Sequence, residues 1–381
     1  MTAHELVELD IPAGAALENQ SGLFNNRPRV YGALSGPRSG KVGAIIMHPT
    51  SNFMGHYLLE PLARRGIGCL ALNSRYVNND SVLLMERVIQ DLGAGVKFML
   101  SRFERVVLLG NSGGAALMSF YQAQAENPTV THTPAGDPVN VAEMGLTPAH
   151  GITILAGHPG RSHLMLNWLD ASMTDERDPL SADPALDIYD PRNQPFTPGF
   201  VALIRQKQLE RSERITAWGR QRLAHLRGLP DPIHDEAMLV YRTYADPRFV
   251  DLSLDANDRA PGGNRGGKNP RSVNYGVNSL CRYTSLTGWM SQWSLASHAD
   301  GPSNLAKTTV PVLHMEYTAD ASIFPSDIRR WSQAMGARET FHRVRSGTHY
   351  LLNQPALIEE VANAILGWLP KVESEPSARA A

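Results

Sequence analysis

Val106-Val107-Leu108-Leu109-Gly110-Asn111-Ser112-Gly113-Gly114-Ala115-Ala116-Leu117 is an apolar, β-branched run that stops at a Gly-x-Ser-x-Gly and passes at once into helix-forming residues. A strand that turns sharply into a helix holds the residue at the turn in a strained backbone conformation. Its neighbours two positions either side must then be very small, which Gly110 and Gly114 satisfy. Such a turn lifts the Ser112 hydroxyl clear of a sheet and leaves the Gly113 N–H at a helix N-terminus, where it can face a developing oxyanion. The other reading of the same letters is a glycine-rich turn with a solvated serine. The remaining chain separates the two.

Composition narrows the class. The chain has 381 residues, 42% hydrophobic and 19% charged, enough to bury a full core. A formal net charge of −1 gives no global field that would draw nucleic acid or a membrane surface. The 2 cysteines, Cys69 and Cys281, make neither a disulfide framework nor a zinc spacing. Cys69 sits in an apolar run and reads as a small buried hydrophobe. The N-terminus has no basic start followed by an apolar stretch, and no run reaches transmembrane length, so a cytoplasmic protein is the expectation.

In chain order, alternation over Glu5 to Ile11 and Val30 to Leu34 predicts early strands, with a turn at Asn25-Asn26-Arg27-Pro28. Short continuous apolar runs at Val42–Met47, Ile67–Leu72 and Gly151–Leu155 predict buried parallel strands. Helical spacing marks Gly55–Arg65 and Val82–Arg102 between them. From Val310 the rhythm returns as strand, helix (Ser326–Met335), strand (Glu339–Val344) and closing helix (Pro355–Leu369). Strands alternating with helices predict an α/β fold, a mostly parallel sheet covered on both faces. The segment 162–305 breaks the pattern and reads as a largely helical inserted lid between core parts 1–161 and 306–371; residues 372–381 read as a disordered tail.

Two further spots carry chemistry. Asp320 follows the Val310 strand, and a carboxylate there can hold an imidazole in one tautomer. His349, in Ser346-Gly347-Thr348-His349-Tyr350 after the next strand, can reach over the sheet towards Ser112. Serine, acid and histidine then come in the order expected of a nucleophile elbow on such a sheet. Glu316 is a rival acid and His342 a rival base, but the strand patterns around them make sheet positions the simpler reading.

On these residues the chain resembles the α/β-hydrolase fold superfamily, over about Val30 to Arg161 and Val310 to Leu369. The resemblance implies Ser112 as nucleophile, His349 as general base and acid, and Asp320 as the orienting acid. It implies Gly113 as one oxyanion donor. The second should come from the loop after the third strand, where many members have His-Gly. Here the residues are His48-Pro49, and proline has no N–H, so the donor expected is Thr50, or Ser51 if the loop is displaced.

A serine nucleophile favours attack on a carbonyl of an ester, lactone or thioester, with an acyl-enzyme intermediate. Carbon–carbon bond hydrolysis of a diketone, acyl transfer to an alcohol, and a non-catalytic binding role are the alternatives. Ser51, Asn52, His56 and His158 are candidate substrate contacts, each with a structural reading beside it. No residue cluster has metal-ligand spacing, and no cofactor is implied. The expected partner is a small, bulky, partly apolar molecule, with a homodimer as a compatible assembly and neither nucleic acid nor membrane as a partner. Trp168, Trp218, Trp289 and Trp293 suggest either an apolar pocket or the core of the lid. Arg205, Lys207, Arg211, Arg214, Arg220, Arg222 and Arg227 read as a solvated helix face, or alternatively as an attraction for an anionic acyl group.

Overall fold

A computed structural model of the protein describes residues 4–12 and 28–374. The first half of the core is β1 (Glu5–Asp10), β2 (Arg29–Ser35), β3 (Gly40–His48), α1 (Leu59–Arg64), β4 (Gly68–Asn73), α2 (Met85–Leu100), β5 (Phe103–Asn111), α3 (Gly114–Glu126) and β6 (Gly151–Leu155). An insertion follows, with α4 (Arg161–Trp168), α5 (Pro198–Arg227), β7 (Ala237–Leu239), α6 (Pro270–Tyr275), β8 (Tyr283–Ser285) and α7 (Gly301–Leu305). The chain returns to the core as β9 (Val312–Tyr317), α8 (Pro325–Met335), β10 (Glu339–Val344) and α9 (Pro355–Ser374). The main sheet has the order β1-β2-β4-β3-β5-β6-β9-β10; β7 and β8 form a separate ribbon. β2 runs antiparallel to both its neighbours, and every other pairing in the main sheet is parallel.

The unbroken apolar runs follow from cover on both sides of the sheet. Successive side chains of a strand alternate faces. Ile45, Met47, Leu70, Leu72, Val106 and Leu108 therefore pack with α2 and α3 in one core. Ala44, Ile46, Cys69, Ala71, Val107 and Leu109 pack with α1 and α9 in the other. Cys69 is fully buried, which pushes its thiol up to about 12. Burying each leucine or isoleucine of this set contributes on the order of 1.5–3 kcal/mol.

Several boundaries differ from the sequence reading, for local reasons. The helix expected from Gly55 begins only at Leu59, because the preceding residues form hydrogen-bonded turns and the Leu58 N–H is taken by the His56 ring. The helix expected over Val82–Arg102 is shorter, Met85–Leu100. The closing helix runs past Pro370 to Ser374, so 372–374 are helical and not tail. Val372 explains this: it is buried, and a Cβ on Gly151 of β6 would meet it at 3.0 Å. The rest of the expected tail, 375–381, and the turn residues 25–27 lie outside the described residues.

The insertion has its own cores. Trp289 and Trp293 pack with Met165, Met290 and Ile215, and Trp168 packs with Tyr244 and Phe249. Of the two readings offered for the tryptophans, this packing agrees with an insertion core; Trp218 is 47% exposed. The solvated-face reading of α5 holds for Arg214 but not for Arg211. The Arg211 guanidinium is buried, donates to Glu176, and reaches the carbonyls of Asp170, Tyr241 and Arg242. A π-helical turn at Trp289–Trp293 ties the insertion to the core: Ser291 accepts from the Met85 N–H at the start of α2 and donates to Glu86. Among the described residues no helix is long and apolar enough to cross a membrane.

Candidate active site

β5 ends at Asn111 and α3 begins at Gly114, so the turn between them is Ser112-Gly113. Ser112 has φ +55°, a left-handed conformation that costs a non-glycine residue on the order of 1–3 kcal/mol. The surrounding packing holds it there. A Cβ at Gly110 would sit 2.7 Å from Ala115 Cα, and one at Gly114 only 2.4 Å from the Met47 carbonyl oxygen. Only glycine lets the strand, the turn and β3 approach this closely. Beneath the turn, the Ser112 N–H donates to the Leu155 carbonyl on β6 at 3.1 Å.

The acid and the histidine arrive on the loops after β9 and β10. His349 Nε2 lies 2.9 Å from Ser112 Oγ, and His349 Nδ1 lies 2.7 Å from Asp320 Oδ2. A carboxylate only accepts, so Nδ1–H donates to Asp320 and Nε2 is left to accept from the serine. Asp320 is buried, and its other oxygen accepts from the N–H groups of Ser322 and Ile323 at 2.7 and 3.0 Å. The two loops brace each other, since the Ala319 N–H donates to the Gly347 carbonyl and the Ser346 N–H to Thr318 Oγ1. Gln354 holds the histidine loop from below by accepting from Thr348 and donating to the Ser346 carbonyl. The Tyr350 ring meets the His349 ring edge-on at 4.5 Å. The rivals are elsewhere: Glu316 pairs with Arg343, and His342 with Glu360 on a half-buried part of β10.

The loop after β3 departs from expectation. The Thr50 N–H does not face the serine; it donates to His48 Nδ1 at 3.1 Å, and the Ser51 N–H does the same at 2.9 Å. Both backbone candidates for the second oxyanion donor are thus committed to one imidazole. Thr50 Oγ1 accepts from Arg161 at 3.3 Å. Asn52 Oδ1 accepts from Asn73 and the Met54 N–H, which holds it in the loop. His56 lies under the turn, not over it. Its Nδ1 accepts from the Leu58 N–H and its Nε2 bonds Asn111 Oδ1 at 3.0 Å, so both ring nitrogens are used in bracing the elbow.

His158 does reach the site. A Cβ on Gly113 would come within 2.6 Å of His48 Nε2 and 3.1 Å of His158 Nε2. Arg161, the first residue of α4, completes this wall. It is buried, pairs with Asp80, and stacks over the Trp293 ring at 4.1 Å. Sequence reading missed His48, Arg161 and Tyr350 as wall residues. The only signal for His48 was a histidine at a strand end beside a proline that removes a donor.

Three imidazoles here are held neutral. Burial brings His56 down to about 4 and, with Arg161 and His349 adding to it, His158 down to about 3. Burial, then Arg161, His158, His349 and His56, keep His48 well below the ordinary 6.5. The unfolded chain takes up these protons as pH falls below about 6.5, while the folded chain refuses them. Stability is therefore present above that pH and lost as pH falls towards the folded values. Carboxylates held low by hydrogen bonds and cations, such as Asp300 at about 2, act in a more acidic window. Urea unfolding at pH 7 and pH 5 should show a loss in the wild type and a shallower slope in His56→Gln, whose share over the full window is on the order of 3 kcal/mol. A wild type equally stable at both values contradicts the assignment.

No family model and no curated protein sequence matches the chain. Solved structures do. The chain is similar to DcsB, solved in complex with a substrate analogue, at a TM-score of 0.52 and 10% identity over 98% of this chain and 100% of that one. Two lower-scoring similarities are a monoacylglycerol lipase of Paleococcus ferrophilus (TM-score 0.45, 14% identity, 91% and 99% covered) and a thermophilic esterase from Thermogutta terrifontis (0.44, 13%, 97% and 100%). The sheet order, the left-handed serine between β5 and α3, and the likeness to a solved structure over the whole chain show that this chain has the α/β-hydrolase fold.

Proposed function

We propose that the protein is a serine hydrolase that cleaves a carboxylic ester, lactone or thioester of a small molecule through an acyl-enzyme. The observation that carries this reading is the single imidazole of His349 bridging Ser112 Oγ and Asp320 Oδ2 at 2.9 and 2.7 Å. A solvated serine in a glycine-rich turn needs none of that arrangement. On this reading Ser112 Oγ attacks the acyl carbon as its proton passes to His349 Nε2. The leaving alcohol or thiol takes that proton, and a water activated by the same nitrogen then releases the acid. Asp320 stabilises the imidazolium and holds its tautomer. The Gly113 N–H, which no acceptor takes among the described residues, faces the developing oxyanion.

The insertion supplies Arg161 and its neighbours above the serine and so acts as the specificity-determining lid of this reading. With His48, His158 and Arg161 on one wall, the acyl portion of the substrate meets a polar surface, while Trp289 and Trp293 remain inside the insertion.

The test is intact mass after treatment with a fluorophosphonate, run on wild type and Ser112→Ala together. One adduct on the wild type and none on the variant is expected. A folded wild type that takes no adduct, and turns over no small acyl ester, overturns the proposal. Turnover of an ester beside its diketone analogue, with and without added alcohol, separates ester hydrolysis from carbon–carbon cleavage and from acyl transfer.

A further inference from the structure

An oxyanion at Ser112 needs more than one donor, and the Gly113 N–H of the elbow is one. The loop after β3 is where a hydrolase of this fold takes its second. Here Pro49 has no N–H to give. The N–H groups of Thr50 and Ser51 are both spent on His48 Nδ1, at 3.1 and 2.9 Å. An imidazole nitrogen that accepts two N–H groups carries no hydrogen of its own. The hydrogen of the neutral ring is therefore on Nε2. That nitrogen stands over Gly113, the residue after the nucleophile, at 2.6 Å from where a Cβ would be. No acceptor among the described residues takes the Nε2–H. This approach is a reason for Gly113 to be glycine: a side chain there would push the ring away.

The groups facing His48 all favour its neutral form. They are the cation of Arg161 on α4, the imidazoles of His158 and His349 on the loops after β6 and β10, and His56 beneath. A neutral donor suits the task. It meets the negative oxygen with a dipole and gives up no proton, so it does not compete with His349 as acid.

Resting on the serine-hydrolase reading above, we infer that His48 is a catalytic residue whose Nε2–H is the second oxyanion donor, standing in for the backbone N–H groups that Pro49 lacks and that the His48 ring has taken. As Ser112 Oγ bonds to the acyl carbon, its proton goes to His349 and the carbonyl π pair moves onto oxygen. That oxygen then accepts from Gly113 N–H and His48 Nε2–H. Collapse restores the C=O, breaks the bond to the leaving group, and returns the proton from His349 to it. His48 is unchanged throughout.

Two variants split the ring's two jobs. In His48→Asn the side-chain oxygen can replace Nδ1 as acceptor for the loop, but no donor reaches the Nε2 position. In His48→Gln the side-chain NH₂ can reach the Nε2 position, while the loop acceptor is lost. The measurements are kcat and KM for a p-nitrophenyl ester, and Ki for a trifluoromethyl ketone, whose adduct with serine carries an oxyanion. Thermal unfolding confirms that each variant is folded. His48→Asn should lower kcat about 10²–10³-fold with KM little changed, and weaken the ketone by a like factor. His48→Gln should retain most of the lost rate. Wild-type kcat in His48→Asn, with Ser112 still labelled by a fluorophosphonate, overturns the role of His48 and leaves the hydrolase reading standing. Loss of rate in both variants with an unchanged ketone Ki reduces His48 to a loop support and also overturns it. A wild type that neither labels nor turns over an ester overturns the hydrolase reading, and His48's role with it.

Discussion

Ser112→Ala is expected to lower kcat by about 10⁶-fold, and Asp320→Asn by about 10⁴-fold, with no change in the folded state. The two losses have different origins. On the serine-hydrolase reading, alanine removes the nucleophile outright. Asparagine keeps the shape of Asp320 but cannot accept from every group that points at it. In the native protein one oxygen accepts His349 Nδ1–H at 2.7 Å, and the other accepts two N–H groups, from Ser322 and Ile323. If the asparagine oxygen stays with Ser322 and Ile323, its NH₂ faces Nδ1. The ring must then carry its hydrogen on Nε2 and can no longer take the Ser112 proton. If the amide is reversed, its NH₂ opposes two N–H groups. The first arrangement costs less, since it leaves one mismatch instead of two, and it is the one that disables the base. Steady-state turnover of a p-nitrophenyl ester reads both variants. A loss below about tenfold in Asp320→Asn would remove Asp320 from the role assigned to it.

Asp170→Asn, far from any chemistry, is expected to destabilise the protein by about 3–5 kcal/mol. Asp170 and Arg242 are both 1% exposed. Asp170 Oδ2 accepts from Arg242 at 3.0 and 2.7 Å and from Asn274 at 2.6 Å; Oδ1 accepts from Ser172 N–H and Oγ. The group thereby joins the end of α4 to α6 and to the irregular segment around Arg242. Asparagine leaves the guanidinium buried with its charge uncompensated, which costs more than the pair's own attraction is worth. Urea unfolding of the single variant and of Asp170→Asn with Arg242→Met tests this. The double variant should be more stable than the single, because no unpaired charge remains. Equal stability of wild type and single variant would show that the network carries no weight.

Much of the core was readable because its signals are local. A parallel strand buried on both faces shows as a short unbroken apolar run, and the helices between such runs show their own period. Ser112, Asp320 and His349 were singled out because each follows the end of a strand, and the structure sets their side chains within hydrogen-bond distance of one another. The failures were of another kind. Thr50 was the natural donor by position, but the direction of its N–H depends on the His48 ring two residues earlier. His56 was near the right loop in sequence, yet Asn111 draws it beneath the turn. Arg211 looks like its neighbours on α5 until carbonyls from 170, 241 and 242 converge on it.

By itself the sequence determined the alternation of strand and helix, the glycines that permit the Ser112 turn, and the chain order of Ser112, Asp320 and His349 on which the proposed function rests. These depend on a residue's own conformational limits and on period-two or period-3.6 patterning, which a few neighbours suffice to define. Only the tertiary structure decided where hydrogens point: which nitrogen of His48 is free, which faces of His349 and Asp320 meet, and which arginines of α5 are buried. The His48 case turns on two N–H groups only two and three residues away, and the others on partners some tens of residues away; in each, a hydrogen bond is set by where its acceptor lies in space and not by how far away it is along the chain.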